Sequence, residues 1–106
     1  ELYRTLLDRG VSLVLVPSAW PYPRVEHWKL LPQARAVENL TYVGAVNGVG
    51  SFDDSTLLGR STIYDPWGTT LASTGDDPAL VTAELDAQRV ETVRSSFPAL
   101  TDRREP

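Results

Sequence analysis

The residues best suited to acid-base chemistry cluster early, where Ser18, Glu26 and His27 fall within ten positions around two tryptophans and a tyrosine. His27 is the only histidine and the natural general base. A catalytic imidazole needs an oriented partner on each ring nitrogen, however, and helical neighbours at 26 and 28 point away from residue 27. Packing beside a tryptophan is the simpler expectation for it. Ser61, in "GRSTI", lacks the glycine two residues on that a nucleophile elbow needs. It reads as a strand serine bonded to backbone, and a Ser61-His27 hydrolase is the weakest of the catalytic readings. Asp53 and Asp54 could attract a cation, yet adjacent loop acids are more often solvated. The glycines of "GAVNGVGSF" follow a strand but open no helix, so they do not form a dinucleotide fingerprint. Asn39-Leu40-Thr41 matches a glycosylation acceptor at a helix-to-strand junction.

Composition narrows the classes. The 106 residues suit one small domain, and 42% hydrophobic with 23% charged residues is the balance of a globular chain. Ten basic against fourteen acidic residues, with no Lys/Arg cluster among aromatics, argue against a nucleic-acid partner. No apolar run approaches a membrane span. The absence of cysteine removes disulfides, thiolate metal sites and a cysteine nucleophile from these residues, and one histidine excludes multi-histidine metal cages. The opening "ELYRTLLDRG" has no signal-peptide pattern, methionine or helix cap, and we read it as a chain cut within a motif. A cytoplasmic protein is expected.

Positioning these residues requires a layered frame. Leu2, Tyr3, Leu6 and Leu7 predict an amphipathic helix over 1–9 stopped by Gly10. "VSLVLV", Val11 to Val16, predicts a strand covered on both faces, and the most buried one. Helical spacing resumes from Glu26 to Asn39, with Pro32 expected to kink or restart the helix. "TYVGAVN" at 41–47 predicts a second strand, and 48–58 a loop. "RSTIYD" and "TTLAST" predict a hairpin turning at Asp65-Pro66-Trp67-Gly68, with proline second and glycine fourth. "ALVTAELD" at 79–86 predicts another strand, and Asp86 caps a last helix with Ala87, Val90, Val93 and Phe97 on one face. Residues 98–106 form a polar tail, and no internal repeat is present. Ligands in layered α/β proteins gather beyond the carboxyl ends of buried strands. "PSAWPYP" leaves such an end, so Trp20 is a candidate pocket wall, with simple packing as the alternative.

The ordered series "ELYRTLLDRG", "LVPSAWP", "EHWKLLPQARAVEN", "YVGAVN" and "GRSTIYDPWG" resembles the carboxyl-terminal part of the carbon-nitrogen hydrolase (nitrilase) superfamily, near its omega-amidase-like and general amidase branches. The resemblance covers nearly the whole chain. It implies an α/β fold, the carboxyl-terminal part of a four-layer α-β-β-α sandwich, with residues 1–106 one portion of a single domain. It also implies hydrolysis of a small amide or nitrile by a glutamate base, a lysine and a cysteine nucleophile, without metal or organic cofactor. In the family those three residues precede the segment matching "ELYR", so none is assigned here; Glu26, Lys29 and Glu38 match the later helix and are not substitutes. The resemblance assigns Ser18, Ala19 and Trp20 to the border of the acyl pocket, and Tyr22 and His27 to its outer wall. Arg35 and Glu38 correspond to a structural ion pair, and Asn39 and Asn47 to residues that fix backbone near strand ends. The helices at 1–9 and 26–39 correspond to the face on which members form homo-oligomers. The missing amino-terminal part of the fold would be the other partner. A non-catalytic half-fold that binds a partner protein is the competing reading.

Overall fold

A computed structural model describes residues 1–104, so the last two positions of the expected polar tail lie outside the described residues. Three helices and six strands run in the order α1 (Leu2–Asp8), β1 (Leu13–Ser18), α2 (Val25–Asn39), β2 (Tyr42–Asn47), β3 (Val49–Phe52), β4 (Ser55–Leu58), β5 (Thr62–Tyr64), β6 (Thr70–Ser73) and α3 (Ala87–Ser96). β1, β2, β5 and β6 form one sheet in that order, and β3 with β4 a separate hairpin. β1 and β2 are parallel, so α2 is the crossover that parallel strands require, while β5 and β6 add antiparallel.

Strand parity decides what α2 covers. Val14 and Val16 of β1 and Val43 and Ala45 of β2 share the face beneath α2, where they pack with Trp28, Ala36 and Tyr64. Leu13, Leu15 and Val46 share the opposite face and stay exposed, Leu15 at 67% and Val46 at 55%. This corrects the expectation for "VSLVLV": β1 alternates exposed and half-buried residues, and the most buried strand is β2. An apolar run alone cannot distinguish a strand that is sandwiched from one whose second cover is absent.

Pro32 does not interrupt α2, which continues for fifteen residues with Pro32 buried. The helix stops at Leu40, whose left-handed backbone (φ 48°) returns its N–H to Ala36 O. The 48–58 segment is a hairpin rather than a loop, turning at Asp53 (φ 50°) and Asp54. Its glycines and serine masked the alternation, and an aspartate tolerated the left-handed turn. The opposite error occurs at 79–86, which joins no strand; Leu80 is 90% exposed there. β propensity alone does not make a strand, which also needs a neighbour to pair with.

The Asp65-Pro66-Trp67-Gly68 turn forms as expected, with Gly68 N–H donating to Asp65 O at 2.8 Å. Asp65 Oδ1 accepts from the N–H groups of Trp67 and Thr69. The turn rests on α2 through Gln33 Nε2 to Gly68 O at 3.0 Å. Gly68 is required twice over, by its φ of 77° and because a Cβ would lie 2.3 Å from Val37 Cγ2. Asp86 caps α3 by accepting from Gln88 N–H. Arg94 of that helix donates to the carbonyls of Val11, Asn39 and Leu40, fastening α3 to the amino-terminal end of the β1-α2-β2 unit.

Candidate active site

The carboxyl end of β1 is organised by one side-chain amide. Asn47, last residue of β2, stands in register with Ser18, last residue of β1. Its Oδ1 accepts from Trp20 N–H at 2.7 Å, and its Nδ2 donates to Trp20 O at 3.2 Å and to Gly59 O at 3.0 Å. A side-chain amide thus imitates a strand partner for Trp20, satisfying both of its backbone groups. The hairpin adds to this: Leu58 N–H also donates to Trp20 O at 3.0 Å, and Tyr22 N–H donates to Thr56 O at 2.9 Å. The loop after β1 is therefore held between β2 and β4.

With its backbone clamped, the Trp20 ring stacks on His27 (centroids 6.1 Å, planes 19° apart) and tilts against Trp28 at 6.3 Å. Trp28 is itself buried and donates its indole N–H to Arg60 O at 2.9 Å. Around these rings lies a cleft of about 140 Å³, lined by Tyr3 of α1, Val16 of β1, Trp20, and the α2 residues His27, Trp28, Leu31, Pro32 and Arg35. Its walls are aromatic and aliphatic, with one imidazole and one guanidinium, the makeup of a pocket for a small, mostly apolar group with a polar end.

The structure brings Trp20 and His27 together in that cleft. Ser18, Ala19 and Tyr22 do not line it: Ser18 closes β1, Ala19 is exposed, and the Tyr22 hydroxyl turns to Asp76 Oδ1 at 3.3 Å. His27 is exposed and hydrogen-bonded to no described residue, so it has no triad partner among them. Ser61 Oγ accepts from Asn47 N–H at 2.9 Å and lies within 3.4 Å of Asn47 O, so the hydroxyl is occupied with backbone. No group of three or more metal-binding side chains occurs among the described residues. Asn39 is buried with its Nδ2 donating to Arg35 O at 2.9 Å, which leaves no amide for a glycan. Arg35 pairs with Glu38 at 2.6 Å and lies 5.1 Å from the centre of the Tyr3 ring, while Arg4 donates to Glu38 O, so polar contacts join α1 to α2.

Sequence reasoning missed that Tyr3 and Arg35 share the Trp20 cleft. Tyr3 is far from Trp20 along the chain, and only the packing of α1 on α2 makes them neighbours. The one available signal was the Arg35 position, a turn beyond Leu31 on α2.

The carbon-nitrogen hydrolase family profile matches residues 1–95. A 2-oxoglutaramate amidase of Bacillus subtilis is 41% identical over 105 residues, covering 99% of this chain and 40% of that protein. The chain thus spans about two fifths of the length of such relatives. Among solved structures, the C. elegans NitFhit protein superposes with a TM-score of 0.91 at 33% identity, over 97% of this chain and 26% of that one. A mutant amidase from Nesterenkonia sp. AN1, showing covalent addition of the acetamide moiety of fluoroacetamide at its active-site cysteine, superposes at 0.80 with 30% identity, over 97% and 36%. The order of elements, their three-dimensional arrangement and the sequence all agree: this chain belongs to the carbon-nitrogen hydrolase family and carries a portion of the nitrilase fold.

Proposed function

We propose that these residues are the carboxyl-terminal part of an amidase whose catalytic glutamate, lysine and cysteine lie before Glu1, and that they supply a wall of its acyl pocket. The observation that carries this reading is the missing nucleophile. A relative of the same fold reacts at an active-site cysteine, this chain has no cysteine, and it matches only 36% of that relative. In the proposed reaction the thiolate attacks the amide carbon, the C–N bond breaks as the leaving nitrogen takes up a proton and departs as ammonia, and water then hydrolyses the thioester to release a carboxylic acid and the thiol. Donors beside the developing oxyanion would come from the upstream part. The likeness to 2-oxoglutaramate amidase favours a small carboxamide over a nitrile as substrate. Trp20 and His27 would bound the pocket, with Ser18, Ala19 and Tyr22 shaping the loop that carries them.

The open sheet face supports the same reading. Leu13, Leu15 and Val46 form an apolar strip that a second sheet would bury, completing a four-layer sandwich. Exposed Leu2, Leu30 and Val37 on α1 and α2 favour pairing of two copies through that face. No helix of the described residues is long and apolar enough to cross a membrane.

The test is amide hydrolysis by residues 1–106 alone and by the same residues joined to the coding segment upstream. Turnover is expected only in the longer protein, and loss of it on replacing the upstream cysteine with alanine. Robust hydrolysis of small amides by residues 1–106 alone would overturn the proposal.

A further inference from the structure

A second concavity lies away from the Trp20 cleft, between α2 and the outer strands β5 and β6, with a volume of about 260 Å³. The face of a sheet beneath a helix is ordinarily apolar. β1 and β2 obey this with Val14, Val16, Val43 and Ala45, but β5 and β6 continue the same face with Thr62 opposite Ser73 and Tyr64 opposite Thr70. From above, α2 contributes Lys29 and Gln33, one turn apart. Hydroxyls on the floor, a cation and an amide on the roof, and no carboxylate among the lining residues make a donor-rich groove.

Arg60 stands at one end of it. Its backbone holds the left-handed conformation (φ 58°) that non-glycine residues rarely adopt, fixed through a carbonyl that accepts from Trp28 Nε1 and Thr62 Oγ1. Its Nε is buried and donates to no acceptor among the described residues. The Tyr22 hydroxyl and Asp76 hold the guanidinium charged, raising its pKa. Asp76 pairs with it at 3.4 Å but is 62% exposed and outside the groove, and Lys29 has no acidic partner among the described residues. Burial raises the Tyr64 pKa, and its hydroxyl donates to Lys29 O at 3.4 Å, tying the floor of the groove to α2.

We propose that this groove binds a small oxyanion group, a carboxylate or a phosphate, with Lys29 and Arg60 supplying charge and Thr70 and Ser73 supplying hydroxyl donors. Charged donors with neighbouring hydroxyls are the usual recognition chemistry for such groups. The site is independent of amide hydrolysis and uses none of the Trp20 cleft.

The test is an NMR titration of the intact protein with inorganic phosphate and, separately, with succinate. Saturable shifts are expected at the amides of Thr62, Ser73 and Gln33 with at least one probe, and the responding probe identifies a phosphate or a carboxylate ligand. Lys29→Ala should weaken binding about tenfold, the loss of one charge-assisted contact, while leaving the circular dichroism spectrum unchanged. Ser73→Ala should weaken it less, and exposed Thr70→Ala serves where Ser73→Ala fails to fold. Absence of saturable shifts with both probes, or equal affinity in Lys29→Ala, would overturn the proposal.

Discussion

The two ends of the four-stranded sheet are secured by different means. At the amino-terminal end α3 lies against the unit, with Val90 and Val93 fully buried and the Arg94 guanidinium spread over three carbonyls. Those carbonyls include the ones α2 leaves unsatisfied as it ends, and burial lowers the Arg94 pKa without removing its bonds. At the carboxyl end the first turn of α2 approaches the loop beyond the strands, through His27 and Trp28. One amide, Asn47, and the hairpin backbone hold Trp20, and the rings beyond remain half open. The closed end obtains its order from burial together with the Arg94 bonds, and the open end from directed hydrogen bonds that leave room for a ligand. Fixing a loop without filling the space beside it is what a binding site requires.

The comparison breaks most visibly at the closed end. Val93→Asp puts an unpaired carboxylate into packed surroundings and should cost about 4 kcal/mol, read as a drop in the urea midpoint. Arg94→Ala leaves three carbonyls short of a donor and should cost about 2–3 kcal/mol by the same measurement. At the open end, Asn47→Ala should cost about 2 kcal/mol and, unlike the previous two, should change the near-ultraviolet circular dichroism of the coupled Trp20 and Trp28 before unfolding begins. Asn47→Asp would keep an acceptor for Trp20 N–H but set a charged oxygen against Trp20 O and Gly59 O, so it should rescue little. The smallest effect is expected for Arg35→Ala. Its ion pair with Glu38 is exposed (37% and 38%), and its loss should shift stability by no more than about 0.5 kcal/mol, measured by thermal melting. A stability loss in Arg35→Ala as large as that in Asn47→Ala would erase the distinction between ordering contacts and surface ones.

Much of the frame was legible because local rules carried it. Gly10 after a short amphipathic run, Asp86 before an apolar stripe, and Pro66 with Gly68 in a turn each act within a few residues. The errors share one cause. β1 looked doubly covered, 79–86 looked like a strand and 48–58 did not, because each depends on what lies beside the segment in space. Pro32 does not restart the helix for a related reason, since it is buried within a continuous helix that tertiary packing supports.

The sequence by itself determined the helix-strand-helix-strand order, the hairpin turn, the absence of a cysteine nucleophile and the placing of an aromatic loop beyond a strand end. Those follow from residue identity and short-range spacing. Tertiary structure alone decided that Asn47 grips Trp20 from 27 residues away, that Tyr3 and Arg35 share a cleft with it, and that threonine and serine hydroxyls meet Lys29 beneath α2. Such meetings depend on strand register and on which helix face lies against the sheet, and neither is written in any one segment of the chain.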